Sequence, residues 1–214
     1  MRKKQSVYIV IGVGAALVAI AVVYLTTNMQ NTPKADSLAL DFTYDEAFKN
    51  VGENLKSNGI IMSLDLRFKD YKNAEICRNF FAKPEMQKLV EYCASAELRD
   101  GNKNFLGNLH MVGSPGAPKL VVVLLQSDPM ISQVEQIKTI FGSVIDELVC
   151  TCWEEVKPGG YDTVGDWINA LRDFHTSGDK PHSTSKALPL ASKHLQIELT
   201  TNKDGYLWEL LIAR

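Results

Sequence analysis

The chain has no Gly-x-Ser-x-Gly, His-Glu-x-x-His, Gly-x-x-x-x-Gly-Lys or calcium-loop motif. It therefore offers none of the compact signatures of a serine hydrolase elbow, a zinc peptidase, a phosphate-cradling loop or an EF-hand. It also lacks an excess of either charge. With 23 Lys+Arg against 25 Asp+Glu the formal net charge is −2, which supplies neither a polybasic surface for nucleic acid nor an acidic disordered tail. No Asn-x-Ser/Thr acceptor with a permitted middle residue occurs, Asn31-Thr32 being followed by Pro33, so standard glycan attachment is not expected. No internal repeat of 20–50 residues is visible. What remains is 214 residues, 45% hydrophobic and 22% charged, enough to bury one sizeable core.

The strongest feature is at the start. Val7 to Leu25 is a run of 19 residues without a charge, and a helix of that length, at about 1.5 Å per residue, matches the roughly 30 Å hydrocarbon core of a bilayer. Arg2, Lys3 and Lys4 precede it, while the segment after it carries little charge, so the positive-inside rule places residues 1–6 in the cytoplasm and the rest outside. Tyr8 and Tyr24 stand near the two ends of the run, at the headgroup level that amphipathic rings prefer. A cleaved signal peptide is the competing reading, with Ala19-Ile20-Ala21 as a small-x-small site. Apolar residues run on to Leu25 with no polar break before that site, which favours a retained anchor. Gly12, Ala16 and Ala19 share one helical face, the small-residue pattern through which membrane helices approach each other, so a homodimer or a membrane protein partner is an expectation. With six residues before Val7, no cytoplasmic output domain is expected. Removing Arg2, Lys3 and Lys4 from the 23 basic residues leaves 20 against 25 acidic ones, a formal −5 on the outer part, which argues against tight docking on anionic lipid.

Residues 26–37 are polar and contain Pro33, a tether, and residues 38–214 read as one extracytoplasmic α+β domain. Thr43-Tyr-Asp-Glu46 is a capping box before an apolar period through Leu55. Ile60–Phe68 alternates as a strand, with Met62, Leu64, Leu66 and Phe68 on one face. Two helical patterns follow, 73–82 and 84–96. Phe105–Val112 and Lys119–Gln126 read as a hairpin, and the wholly apolar Leu120–Leu125 predicts a central strand covered on both faces. Asp128-Pro129 predicts a helix start, continuing to Leu148. Val149–Val156 reads as a strand or a continuation of that helix. Thr163-Val-Gly-Asp166 caps a further helix with Val164, Trp167, Ile168, Leu171 and Phe174 inward. Residues 176–193 form a long polar connection, and Leu195–Leu199 with Tyr206–Ala213 make a final hairpin about Asn202-Lys-Asp-Gly205. The expectation is an antiparallel or mixed sheet of four to six strands covered by helices.

The candidate sites are sparse. Four cysteines in an oxidising compartment favour disulfides. Cys77 with Cys93 would staple the two short helices; Cys150 with Cys152 would close a very tight ring; cross-pairing is the third arrangement. Cys150-Thr-Cys152 on a strand would place both sulfurs on one face, suited to thiol exchange or to copper or zinc, although no histidine has ligand-type spacing to complete a site. His175, His182 and His194, with Asp173 and Asp179, surround the polar connection and form a candidate proton-responsive surface, against the plainer reading of solvated loop residues. Ser183-Thr-Ser-Lys186 has the Ser-x-x-Lys spacing but none of its companion motifs. Trp153, Trp167 and Trp208 read as core, and His110 as a sheet residue. The functional expectation is a membrane-tethered, non-enzymatic domain, without a cofactor, that binds a protein partner or small ligand through an exposed apolar patch or a pocket, as an accessory or assembly component. The alternative is a thiol or soft-metal protein built on Cys150 and Cys152.

Overall fold

A computed structural model of the chain describes residues 38–68, 75–81, 84–88, 90–178 and 180–214. The span 7–25 with Gly12, Ala16 and Ala19, the tether 26–37 and Asp179 lie outside the described residues. Among those described, no helix is long and apolar enough to cross a membrane.

The described residues form a nine-stranded, wholly antiparallel sheet with helices, an α+β fold. The strands are β1 (Ile61–Met62), β2 (Leu66–Phe68), β3 (Tyr92–Arg99), β4 (Phe105–Gly113), β5 (Pro118–Ser127), β6 (His182–Thr184), β7 (Leu188–Leu190), β8 (Lys193–Asn202) and β9 (Gly205–Ala213). Their order is β1-β3-β4-β5-β9-β8-β6, with β2 alongside β3 and β7 alongside β8. β5 lies between β4 and β9, which is why its residues from Lys119 to Val123 are buried on both faces. The tight turn into β9 depends on Gly205: its φ is +131°, and a Cβ there would collide with the Ser127 carbonyl.

One face of the sheet carries three helices, α1 (Tyr44–Ser57), α4 (Val134–Leu148) and α6 (Val164–Thr176). Both α1 and α6 open with the predicted capping boxes, Thr43 with Glu46 and Thr163 with Asp166. Apolar stripes on these helices meet Leu195, Ile197, Leu199, Trp208 and Leu210 of the sheet in the main core. All three tryptophans are buried there. Trp153 lies 5.5 Å from Trp167, ring to ring, and Trp208 donates to Ser127 Oγ at 3.1 Å.

The second face carries a small lobe. Two single-turn helices, α2 (Glu75–Arg78) and α3 (Pro84–Gln87), lead into β3. Cys77, Phe80, Phe81 and Val90 of this lobe pack on Cys93, Val112, Val122 and Leu211, and Cys77 is disulfide-bonded to Cys93.

Several expectations are corrected. The sheet has nine strands among the described residues, not four to six, because 60–68 divides into β1 and β2, Tyr92–Arg99 is a strand, and the polar connection after α6 holds β6 and β7 paired to β8. Residues 84–96 are not one helix: Tyr92–Arg99 contains good helix formers, yet its full register with β4 overrides local propensity. Cys93 is therefore a strand residue, and the disulfide joins the lobe to the sheet. The helix after β5 begins at Val134 rather than Pro129. Asp128 accepts from the amides of Met130 and Ser132 at 2.8 and 3.1 Å, and Ile131 at φ +53° interrupts the helical path. Val149–Val156 is neither a strand nor a continued helix but a turn followed by α5 (Trp153–Val156). Phe174 points outward, 55% exposed, under the Lys180 ammonium.

Candidate functional site

The exposed candidate is an apolar corner of the second face. Ile61 on β1 and Phe105 on β4 both stand opposite Arg99 of β3, and Leu66 on β2 stands opposite Ser95. Directly opposed residues point to the same side of a sheet, so these three share the face, with Leu64 between β1 and β2. Leu64 is 91% exposed, Leu66 66%, Phe105 51% and Ile61 43%. Single exposed apolar residues are ordinary on a protein surface, so it is the grouping of these four that makes the corner a candidate. The charges around them are matched, Arg99 pairing with Glu97 and Arg67 with both Asp65 and Asp45. The expected face of Met62, Leu64, Leu66 and Phe68 is thus split. Ser63-Leu-Asp65 separates β1 from β2, so Met62 packs into the main core while Phe68 packs with the lobe.

Phe105 lies far from where the described chain begins. The Leu40 amide donates to the Pro118 carbonyl, and Arg214 Nη1 to the Ala39 carbonyl. Residues 39 and 40 therefore sit by the β4–β5 turn, and Phe105 begins the other end of β4, about 26 Å away at the usual strand rise.

The second candidate is buried. Glu198 of β8 and Glu209 of β9 are directly opposed on the second face and only 2% and 5% exposed. Gln196 Nε2 donates to Glu198 Oε1 at 3.1 Å, and His182 Nε2 lies 3.5 Å from Glu198 Oε2. Burial and then the neighbouring Glu209 carboxyl push Glu198 up to about 8, and burial pushes Glu209 up to about 7. Neither glutamate was singled out by sequence reasoning. The available signal was an acid inside the apolar run Leu207–Ile212, opposite an acid in β8.

The histidines do not gather as expected. The sheet separates them: His175 of α6 is on the helix side, bonded to Ser183 Oγ at 2.9 Å and Thr201 Oγ1 at 2.8 Å. His182 is on the opposite face, between Thr200 and Thr184 at 2.8 and 2.9 Å. His194 is at the far end of β8, opposite Pro189 and Ala213. Asp173 pairs with Arg172. Burial lowers the pKa of both His175 and His182. Ser183, buried in β6 against His175, is inaccessible as a nucleophile, which disposes of the Ser-x-x-Lys spacing. A second Ser–His contact, Ser95 Oγ to His110 Nδ1 at 2.8 Å, crosses β3 and β4 beside Phe80; burial drives His110 down to about 4.

Cys150 is disulfide-bonded to Cys152, in the turn after α4 rather than on a strand. The cysteines thus pair within each group rather than across. Among the described residues, no group of three or more His, Cys, Asp and Glu is arranged to hold a metal ion. The two bonds differ in access: Cys77 and Cys93 are buried, while Cys150 and Cys152 are half-buried. Graded reduction followed by alkylation and peptide mass spectrometry is expected to open Cys150–Cys152 first; simultaneous opening of both pairs would contradict this difference.

An open hollow of about 350 Å³ between α1 and α4 is lined by Asn50, Glu53, Asn54, Ser57 and Glu147. Its polar lining does not suit an apolar ligand. No family model, curated protein or solved structure matches the chain.

Proposed function

We propose that the chain is a single-pass, membrane-tethered, extracytoplasmic domain of non-enzymatic type that binds a protein partner in an accessory or assembly role. The observation that carries the binding part is the corner formed by Ile61, Leu64, Leu66 and Phe105. Its matched charges suit a protein surface. Phe105, at the end of β4 away from residues 39 and 40, suits a partner standing beyond the bilayer. The anchor rests on the uncharged run 7–25 and its basic flank, and the oxidising compartment on the two disulfides. Gly12, Ala16 and Ala19 supply a second contact, with a membrane protein partner or another copy. Replacing Leu64 and Leu66 by Asp tests the corner in the full-length chain extracted from its membrane in mild detergent. Both side chains are exposed, so stability is expected to change by no more than about 0.5 kcal/mol, while the native particle loses the mass of its partner. An unchanged particle mass would contradict the assignment.

A second reading is thiol exchange at Cys150–Cys152, favoured by the half-buried position of this pair. Copper or zinc binding would require the same two sulfurs in reduced form. Replacing both by Ser and finding thiol-exchange activity and metal content unchanged would dismiss it.

A further inference from the structure

The second face holds two acceptors whose needs the described residues do not meet. Gln196 Oε1 and Glu209 Oε1 are both buried without a hydrogen-bond partner, although the two residues flank one another diagonally across β8 and β9. Among the described residues of β5, β6, β8 and β9 that face the pair there is no lysine or arginine to compensate two carboxylates; the lobe, which packs on Leu124 and Leu211 beside Glu209, contributes the buried Arg78. β6 contributes His182 and Thr184; β8 contributes Gln196, Glu198 and Thr200; β9 contributes Leu207, Glu209 and Leu211; β5 contributes Leu124 and Gln126. The ring nearest the pair, His182, lies 3.5 Å from Glu198 Oε2 and is bonded to Thr200 and Thr184, and burial lowers its pKa. Two buried like charges directly opposed across a strand pair are unfavourable, whereas a proton on one carboxyl supplies a donor where the site has only acceptors.

We propose that Glu198 and Glu209 retain a proton at neutral pH and together act as a pH-sensitive latch for the β6–β8–β9 edge of the sheet. This inference is independent of the partner-binding reading. The carboxylic O–H of Glu209 donates to Gln196 Oε1, which gives both orphan oxygens a partner. As pH rises, the O–H bond breaks, the proton passes to water, and two carboxylates face each other with no lysine or arginine from these strands between them. The sign follows from linkage. The folded chain holds protons that the unfolded chain has already released above about 4.5, so the stability from the pair is complete below that value. It is lost as pH rises through about 7 to about 8. Because the two groups interact, the titration belongs to the pair rather than to either residue.

The test uses the full-length chain in detergent, with infrared spectra and melting curves between pH 5 and pH 9. A protonated-carboxyl stretching band is expected at pH 7, absent from a Glu198→Gln, Glu209→Gln variant. The melting temperature of the natural chain should fall across pH 6 to 9 by several degrees more than that of Glu209→Gln. Absence of the band at neutral pH overturns the proposal, and so does a variant whose melting temperature falls in parallel with the natural chain. A melting temperature restored at pH 9 by sodium, potassium or calcium chloride, without the band at pH 7, would make the pair a cation site instead. The infrared band of the natural chain decides the matter even where a variant fails to fold.

Discussion

Replacing Trp208 by Ala is expected to destabilise the domain by about 3–5 kcal/mol, the range for removing a large aromatic side chain from a packed core. Trp208 is fully buried in β9, directly opposite Leu125 of β5 and Leu199 of β8, so its side chain spans the centre of the face beneath the helices. Its indole N–H is satisfied by Ser127 Oγ, itself buried. Truncation leaves a cavity between three strands that cannot close without moving the register, and it also strips the hydroxyl of its donor. Trp208→Phe should retain most of the packing and lose mainly the hydrogen bond, a cost nearer 1 kcal/mol. Denaturant unfolding of the two variants checks both values. Similar midpoints for Trp208→Ala and the natural chain would mean that the main core does not centre on β9.

Removing the Cys77–Cys93 bond by paired Ser substitution is expected to cost about 3 kcal/mol, the loop-closure value for a bridge enclosing about 15 residues; the separation here is 16. The effect should be local before it is global. α2 and α3 are four residues each, far below the length at which a helix is stable alone. The lobe is therefore held by the bond and by the packing of Phe80, Phe81 and Val90 on Val112, Val122 and Leu211. Without the bond, limited proteolysis should cut between residues 75 and 90 under conditions in which β3–β5 stays intact. The Cys150–Cys152 bond closes only a two-residue separation, so paired substitution there should change stability far less. Equal losses from the two pairs, or no new cleavage in the lobe, would contradict this division of roles.

The features legible in the sequence are those governed by local chemistry. The capping boxes at Thr43 and Thr163, the hairpin about Asn202-Lys-Asp-Gly205 and the central position of Leu120–Leu125 all follow from short-range patterns, and the structure places each as read. Features set by distant pairing were not legible. Residues 84–96 read as helix because Met86, Leu89, Val90 and Cys93 recur at helical spacing, and only the ladder with β4 makes Tyr92–Arg99 a strand. Leu64 and Leu66 read as inward because alternation was assumed to continue through Ser63-Leu-Asp65, where the chain instead passes from β1 to β2. The buried glutamates escaped notice because an acid on a strand ordinarily marks a solvated face. That Glu198 and Glu209 meet is a property of the β8–β9 register.

The central claim, a tethered domain outside the cytoplasm with its cysteines paired, is tested most directly by accessibility in intact cells. Lys203, in the β8–β9 turn and nearly fully exposed, is replaced by Cys in the full-length chain, and the cells are treated with a membrane-impermeant maleimide before lysis. This residue alone should be labelled, in a chain that stays with the membrane through an alkaline wash, and the four native cysteines should react only after reduction. Labelling of the new cysteine only after lysis, or ready labelling of Cys77 and Cys93 without reductant, would contradict it.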